Sequence, residues 1–109
     1  MSASAAGSYA NALAEVAKSN NTLEQTSADI EKLEKLFTEK PVLQYFTNPT
    51  VSDPQKRLLI DDIANSSMVQ PHVVNFLNIL LDMKRIDLIT DIVKEFEVVY
   101  NKITETELA

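Results

Sequence analysis

The stretch VVNFLNILL, residues 73–81, decides how the chain is read. Wound as a helix at about 100° per residue, it gathers Asn75, Asn78 and, one turn on, Asp82 into a narrow polar strip. Val73, Val74, Phe76, Leu77, Ile79, Leu80, Leu81 and Met83 fill the rest, an apolar arc of roughly 220°. A surface helix of a small domain needs an arc of only about 100° or somewhat more. One face of this segment therefore enters the chain's own core. The other is covered either by helices of the same chain wrapped around it, or by a partner.

Working outward, Pro71 opens this helix and the run from Asp82 to Asp87 ends it. Upstream, Ser52 and Gln55 form a capping box with Pro54 in the first turn. They start a helix whose buried side is Leu58, Leu59, Ile60 and Ile63, with a loop at 65–70. Before it, Pro41 begins a short helix carrying Val42, Leu43, Tyr45 and Phe46, stopped by Asn48–Pro49. A long amphipathic helix precedes that one, from a Thr22–Gln25 capping box to about Glu39. Leu23, Thr26, Ile30, Leu33, Leu36 and Phe37 form its stripe, and Glu24, Asp29, Glu31, Lys32, Glu34 and Lys35 its outer side. An alanine-rich helix from about Ser4 to Ser19 comes first, and Ser19–Asn21 breaks it. Downstream, a sixth helix runs from about Asp87 to Ile103, leaving residues 104–109 as a tail without a partner in the chain. Short connections imply an antiparallel bundle.

Composition agrees. The single glycine, Gly7, leaves no supply for the tight turns of a sheet protein. The fold class is all-α: six helices and no sheet, in one domain spanning 1–109. The absence of cysteine removes disulfides, thiol catalysis and zinc–thiolate sites. A net charge of −6 repels phosphate backbones, so nucleic acid is not an expected partner. No apolar run is long enough for a bilayer, so no direct membrane insertion is expected. MSASAAGSY reads as an initiator methionine on the start of a mature domain.

Nothing resembles a catalytic, metal or cofactor site. His72, the only histidine, has no designated acid–base partner and reads as solvated or loosely capping. Asp53, Asp61 and Asp62 lack the spacing of metal ligands and read as solvated. Lys56–Arg57 and Lys84–Arg85 read as helix-end charges rather than a phosphate site. There is no Walker loop and no nucleophile motif. What remains is apolar surface. Tyr9, Ala12 and Val16 line one edge of the first helix, while Ala6, Ala10, Ala14 and Ala17 admit a close neighbour. On the fifth helix Phe76, Ile79 and Met83 share a side, and Val73, Leu77 and Leu80 point elsewhere. Together these edges suggest a groove for a partner's amphipathic helix.

At this point four segments carry a resemblance: SYANALAEVA (8–17), FTNPTVSDPQKRLLIDDI (46–63), QPHVVNFLNILLDMKRIDLI (70–89) and EFEVVYNKITETELA (95–109). In order and spacing they resemble the N-terminal domain of the delta subunit of the F-type ATP synthase, plastid type. Its mitochondrial counterpart is the oligomycin-sensitivity-conferring subunit. The resemblance implies a six-helix bundle on top of the catalytic head, gripping the N-terminal helix of an alpha subunit between its first and fifth helices. It thus implies a non-catalytic stator role, at the stromal face of the thylakoid membrane in the chloroplast. The family's groove tyrosine and the alanine three residues later fall on Tyr9 and Ala12, and its apolar groove position in the fifth helix on Ile79. The partner-binding residues expected are Tyr9, Ala12, Val16, Phe76, Ile79 and Met83. Where the family often has Gly-Arg after the fifth helix, this chain has Lys84-Arg85, so the last turn is expected to differ. The family's C-terminal region, with its stalk contacts, is missing here, so the peripheral stalk is expected as a partner only through that missing region; a monomer is expected in isolation. A rival reading is an unrelated helical adaptor for another amphipathic helix.

Overall fold

A computed structural model describes residues 4–108, with side chains described through Glu105. Among these residues there are six α-helices and no strand: α1 (Ala5–Ser19), α2 (Leu23–Thr38), α3 (Lys40–Thr47), α4 (Asp53–Ser67), α5 (Pro71–Asp82) and α6 (Ile89–Leu108), with a 3₁₀ turn at Ile86–Leu88 before α6. The all-α expectation holds. The helices are not uniformly antiparallel, however. α2 runs against α6, but α1 lies beside α6 in the same direction: Gly7 faces Glu95, while Lys18 shares a concavity with Tyr100, Ile103 and Thr104.

The alanine stripe explains this closest pairing. Ala6, Ala10, Ala14 and Ala17 are buried, and α6 is the principal neighbour of α1. Small side chains let the two backbones approach, and Ile89, Ile92, Val93 and Phe96 fill the interior from the other side. Those alanines are therefore core, and the edge of α1 left free is the one carrying Ala12 and Val16.

Several local expectations change. Thr22 does not cap α2 with its side chain. It is held by the end of α1, where its amide donates to Ala17 O at 2.8 Å and Asn21 takes the left-handed conformation (φ 57°). That is a Schellman closure, and it turns the Thr22 hydroxyl back toward Ala17 O instead of forward into α2. The Ser52–Gln55 capping box does form. α4 continues to Ser67 through the expected loop, and Leu58 is 65% exposed instead of buried. α6 continues past Ile103 to Leu108, so much of the expected tail is helical; Ala109 lies outside the described residues.

The last turn of α5, expected to differ for want of a glycine, nevertheless takes the left-handed closure that glycine usually provides. Lys84 adopts φ 56°, its amide donates to Leu81 O at 3.1 Å, and Arg85 N donates to Leu80 O at 2.8 Å. A lysine thus occupies the left-handed position that favours glycine, at a cost in backbone strain.

α2 fastens α5 in place. Asp29, expected on the outer side, is buried and accepts from the Gln70 amide (2.9 Å) and from Gln70 Nε2 (3.3 Å) at the start of α5. One turn along, Lys32 Nζ donates to Ser67 O, the end of α4, at 2.9 Å. One turn back, Thr26 Oγ1 is 2.7 Å from His72 Nε2. Three successive turns of α2 therefore satisfy groups at the α4–α5 junction that would otherwise lack partners.

Candidate docking groove between the first and fifth helices

The polar strip of α5 is only partly covered by its own chain: Asn78 is half-buried, while Asn75 and Asp82 stay exposed. Arg57 of α4 donates to Asn78 Oδ1 at 3.1 Å and is ion-paired with Asp82, and Asn78 passes a hydrogen bond to Val74 O at 3.2 Å. The apolar arc, by contrast, is mostly internal. Val73, Leu77, Leu80 and Leu81 are core, as is Phe76, which is only 7% exposed. What stays outside is Ile79, 45% exposed, and Met83, 59% exposed.

α1 and α5 are held by different neighbours, α6 and α4 respectively, and a cleft of about 180 Å³ remains between them. Ala12 and Val16 form one wall and Ile79 and Asn75 the other, with Phe76, Leu13 and His72 contributing deeper side chains. Of the six residues singled out in the sequence, four line this cleft: Ala12, Val16, Phe76 and Ile79. Tyr9 stands beside it, its ring edge-on to Phe76 with centroids 6.3 Å apart. That contact is why Phe76 is not an exposed groove residue: a remote aromatic ring shields it, and it serves as floor. Met83 is exposed at the C-cap of α5 and is not among the lining residues.

His72 is the residue whose place the sequence did not reveal. It is half-buried, bonded to Thr26, and reaches the cleft from the first turn of α5. The only signal was its position after Pro71; its partner lies 46 residues away. Larger concavities exist, such as one of about 680 Å³ between α2, α3 and α6, but Glu34, Lys35, Glu39 and Lys94 line it. The α1–α5 cleft has no lysine, arginine or carboxylate in its lining. It can take apolar side chains from outside, and the imidazole of His72 within it is engaged by Thr26. Among the described residues no group of three or more His, Asp or Glu could hold a metal, and no helix is long and apolar enough to cross a membrane.

Charge accumulates elsewhere. Where α2 meets α6, the Glu97 carboxyl is raised above its ordinary 4.5, first by loss of water, then by the charge of Glu34, a hydrogen bond with Glu34, and the charge of Glu31.

Comparison with known proteins bears on what this geometry serves. The family model described as ATP synthase delta (OSCP) subunit matches residues 5–109. The chain is 63% identical to the chloroplastic ATP synthase delta chain of Nicotiana tabacum over 100% of its own length and 44% of the relative's. It is 59% identical to the chloroplastic ATP synthase subunit delta of Arabidopsis thaliana, over 100% of this chain and 47% of that one. A chain of the cryo-EM structure of the Toxoplasma gondii mitochondrial ATP synthase hexamer superimposes with a TM-score of 0.79 at 28% identity, covering 86% of this chain and 53% of that one. The chain thus spans about half the length of the relatives it matches, or less.

Proposed function

The chain belongs to the ATP synthase delta (OSCP) subunit family, and from that premise we propose that it is a non-catalytic docking domain of the F-type ATP synthase. Its α1–α5 cleft receives the apolar face of the N-terminal helix of an alpha subunit. The residues that make this contact are Ala12, Val16 and Ile79 at the walls, Phe76 beneath them, and Tyr9 and Met83 at the margins. Docking there would help hold the catalytic head against the peripheral stalk, with the stalk met by the part of the family's subunit that follows this domain. The place of action is the stromal face of the thylakoid membrane, consistent with the chloroplastic names of the relatives.

The observation that carries this reading is the exposure of Val16 and Ile79, 45% each, on facing walls of an apolar cleft. Two exposed aliphatic side chains across a gap are what a helix-in-groove contact needs as anchors. A titration of the isotopically labelled domain with the alpha-subunit N-terminal peptide tests it. Saturable shifts should concentrate on Ala12, Val16, Phe76 and Ile79. Equal binding by a scrambled amphipathic helix would favour the unspecialised adaptor, and shifts spread over α2 and α3 would place the partner elsewhere.

A further inference from the structure

Three polar or charged side chains are buried among the described residues: Thr26, Asp29 and Lys56. The first is bonded to His72 and the second to Gln70. Lys56 is 7% exposed and makes neither a hydrogen bond nor an ion pair with any described residue. An ammonium without a partner is costly to bury, and natural interiors pair such groups. Lysine commonly buries its stem and keeps its head in water, but so small an exposure leaves the head little water. Its nitrogen is not sealed off either, since no fully covered side-chain nitrogen lacks a partner. The remaining access is through a cleft of about 350 Å³ where the end of α3, the first turn of α4 and the α5–α6 connection meet.

We propose that this cleft is a second binding site, that it takes a single carboxylate on a short apolar stem, and that Lys56 is its anchor. The lining decides the ligand's charge. Lys56 and Lys84 face Asp53 and Asp87, so the walls sum to zero, and neither aspartate is in ion-pair reach of Lys56. One carboxylate can take the open ammonium; Lys84 then offsets one of the two aspartates, and the filled cleft carries a single net negative charge. A phosphate dianion doubles its attraction to the lysines and its repulsion from the aspartates alike, but the cost of stripping its water rises with the square of its charge, so it is disfavoured. Leu81 and Ile86 supply an apolar wall for the stem. The site does not depend on the α1–α5 cleft; Leu81 and Lys84 reach it from the end of α5 away from His72. Such a carboxylate comes either from a small free acid or from a glutamate side chain of a docked polypeptide.

The test is NMR of the chain with labelled lysine side chains and isoleucine methyls, titrated with butyrate, N-acetylglutamate N-methylamide, inorganic phosphate, and matched sodium chloride. Both carboxylates should saturate the Lys56 ε-methylene and Ile86 methyl signals at millimolar concentration, with phosphate at least tenfold weaker. Preference for the glutamate derivative assigns the site to a polypeptide side chain; equal binding assigns it to small free acids. Lys56→Met should abolish the response and raise the melting temperature of the free chain by a few degrees, because it removes an unpaired charge and keeps the stem. Shifts at Lys56 no larger than those of exposed lysines, phosphate binding at least as tight as carboxylate, or a lower melting temperature for Lys56→Met would each overturn the proposal.

Discussion

Ile79 and Leu77 sit two residues apart on α5 in opposite surroundings: Leu77 is fully buried, and Ile79 is about half open to solvent at the cleft. A carboxylate at position 79 can stay hydrated, whereas one at 77 would lose its water without a partner. Ile79→Asp should therefore keep the domain folded, with a melting temperature within a few degrees of the parent. It should abolish detectable binding of the alpha-subunit peptide, since docking would strip water from an unpaired charge. Leu77→Asp should prevent folding, seen as loss of a cooperative helical melt by circular dichroism. Similar melting of the two variants would mean that position 79 is internal. Lys84 supplies a second case. Its left-handed backbone costs more than a glycine's would, so Lys84→Gly should stabilise by about 1 kcal/mol in urea unfolding. A loss of stability there would show that the Lys84 side chain contributes more than its backbone costs.

Helix identity and order were legible because apolar spacing, prolines at first turns and the Ser52–Gln55 box are local signals. The way one element grips another was not. Asp29 reads as an outer residue of α2 until Gln70 arrives from 41 positions away, and Lys56 reads as a helix-end charge until α3 and the α5–α6 connection enclose it. The cleft was legible to the same extent: its walls follow from periodicity on α1 and α5, but the depth of Phe76 depends on Tyr9 from another helix. The clasp from α2 gives a prediction at this scale. Asp29→Ala should cost about 2 kcal/mol, because it leaves the Gln70 amide and the start of α5 unpartnered. Asp29→Asn, which keeps an acceptor, should recover part of that loss in the same urea titration. Equal stability of the alanine variant and the parent would dissolve the clasp. Where α2 meets α6, the sign of the pH effect follows from Glu97. Its raised carboxyl holds a proton more tightly in the folded chain than in the unfolded one. The stability linked to that proton is fully present below pH 4.5 and is lost as pH rises through the raised value. Glu97→Gln should then melt about a degree or two higher at neutral pH, and the difference should shrink toward zero at about pH 4. A difference that grew on acidification would contradict the repulsion from Glu34 and Glu31.

Across the whole molecule, net charge and the α1–α5 cleft are kept apart. The chain carries −6, and most of its described carboxylates, the buried Asp29 apart, lie on outer faces such as the α2–α6 flank, whereas the walls of the α1–α5 cleft carry no lysine, arginine or carboxylate. The two features act on different parts of docking. The net charge acts at long range: it speeds the approach of a basic helix and slows an acidic one, and salt screens it within a Debye length of about 8 Å at physiological strength. The cleft acts only on contact, by removing apolar surface from water, and added salt in that range changes this little. Raising sodium chloride from low to physiological strength should therefore alter the association rate of the alpha-subunit peptide and leave its dissociation rate nearly constant. The dissociation rate should respond instead to the shape of the cleft. Ala12→Leu fills the space between the walls from an exposed position, so it should speed dissociation strongly while barely moving the melting temperature. Stopped-flow measurements on the parent and on Ala12→Leu at two salt concentrations separate the terms. If salt accelerated dissociation of the parent as much as Ala12→Leu does, the bound helix would be held by charge, and its seat would lie on the acidic flank instead of between α1 and α5.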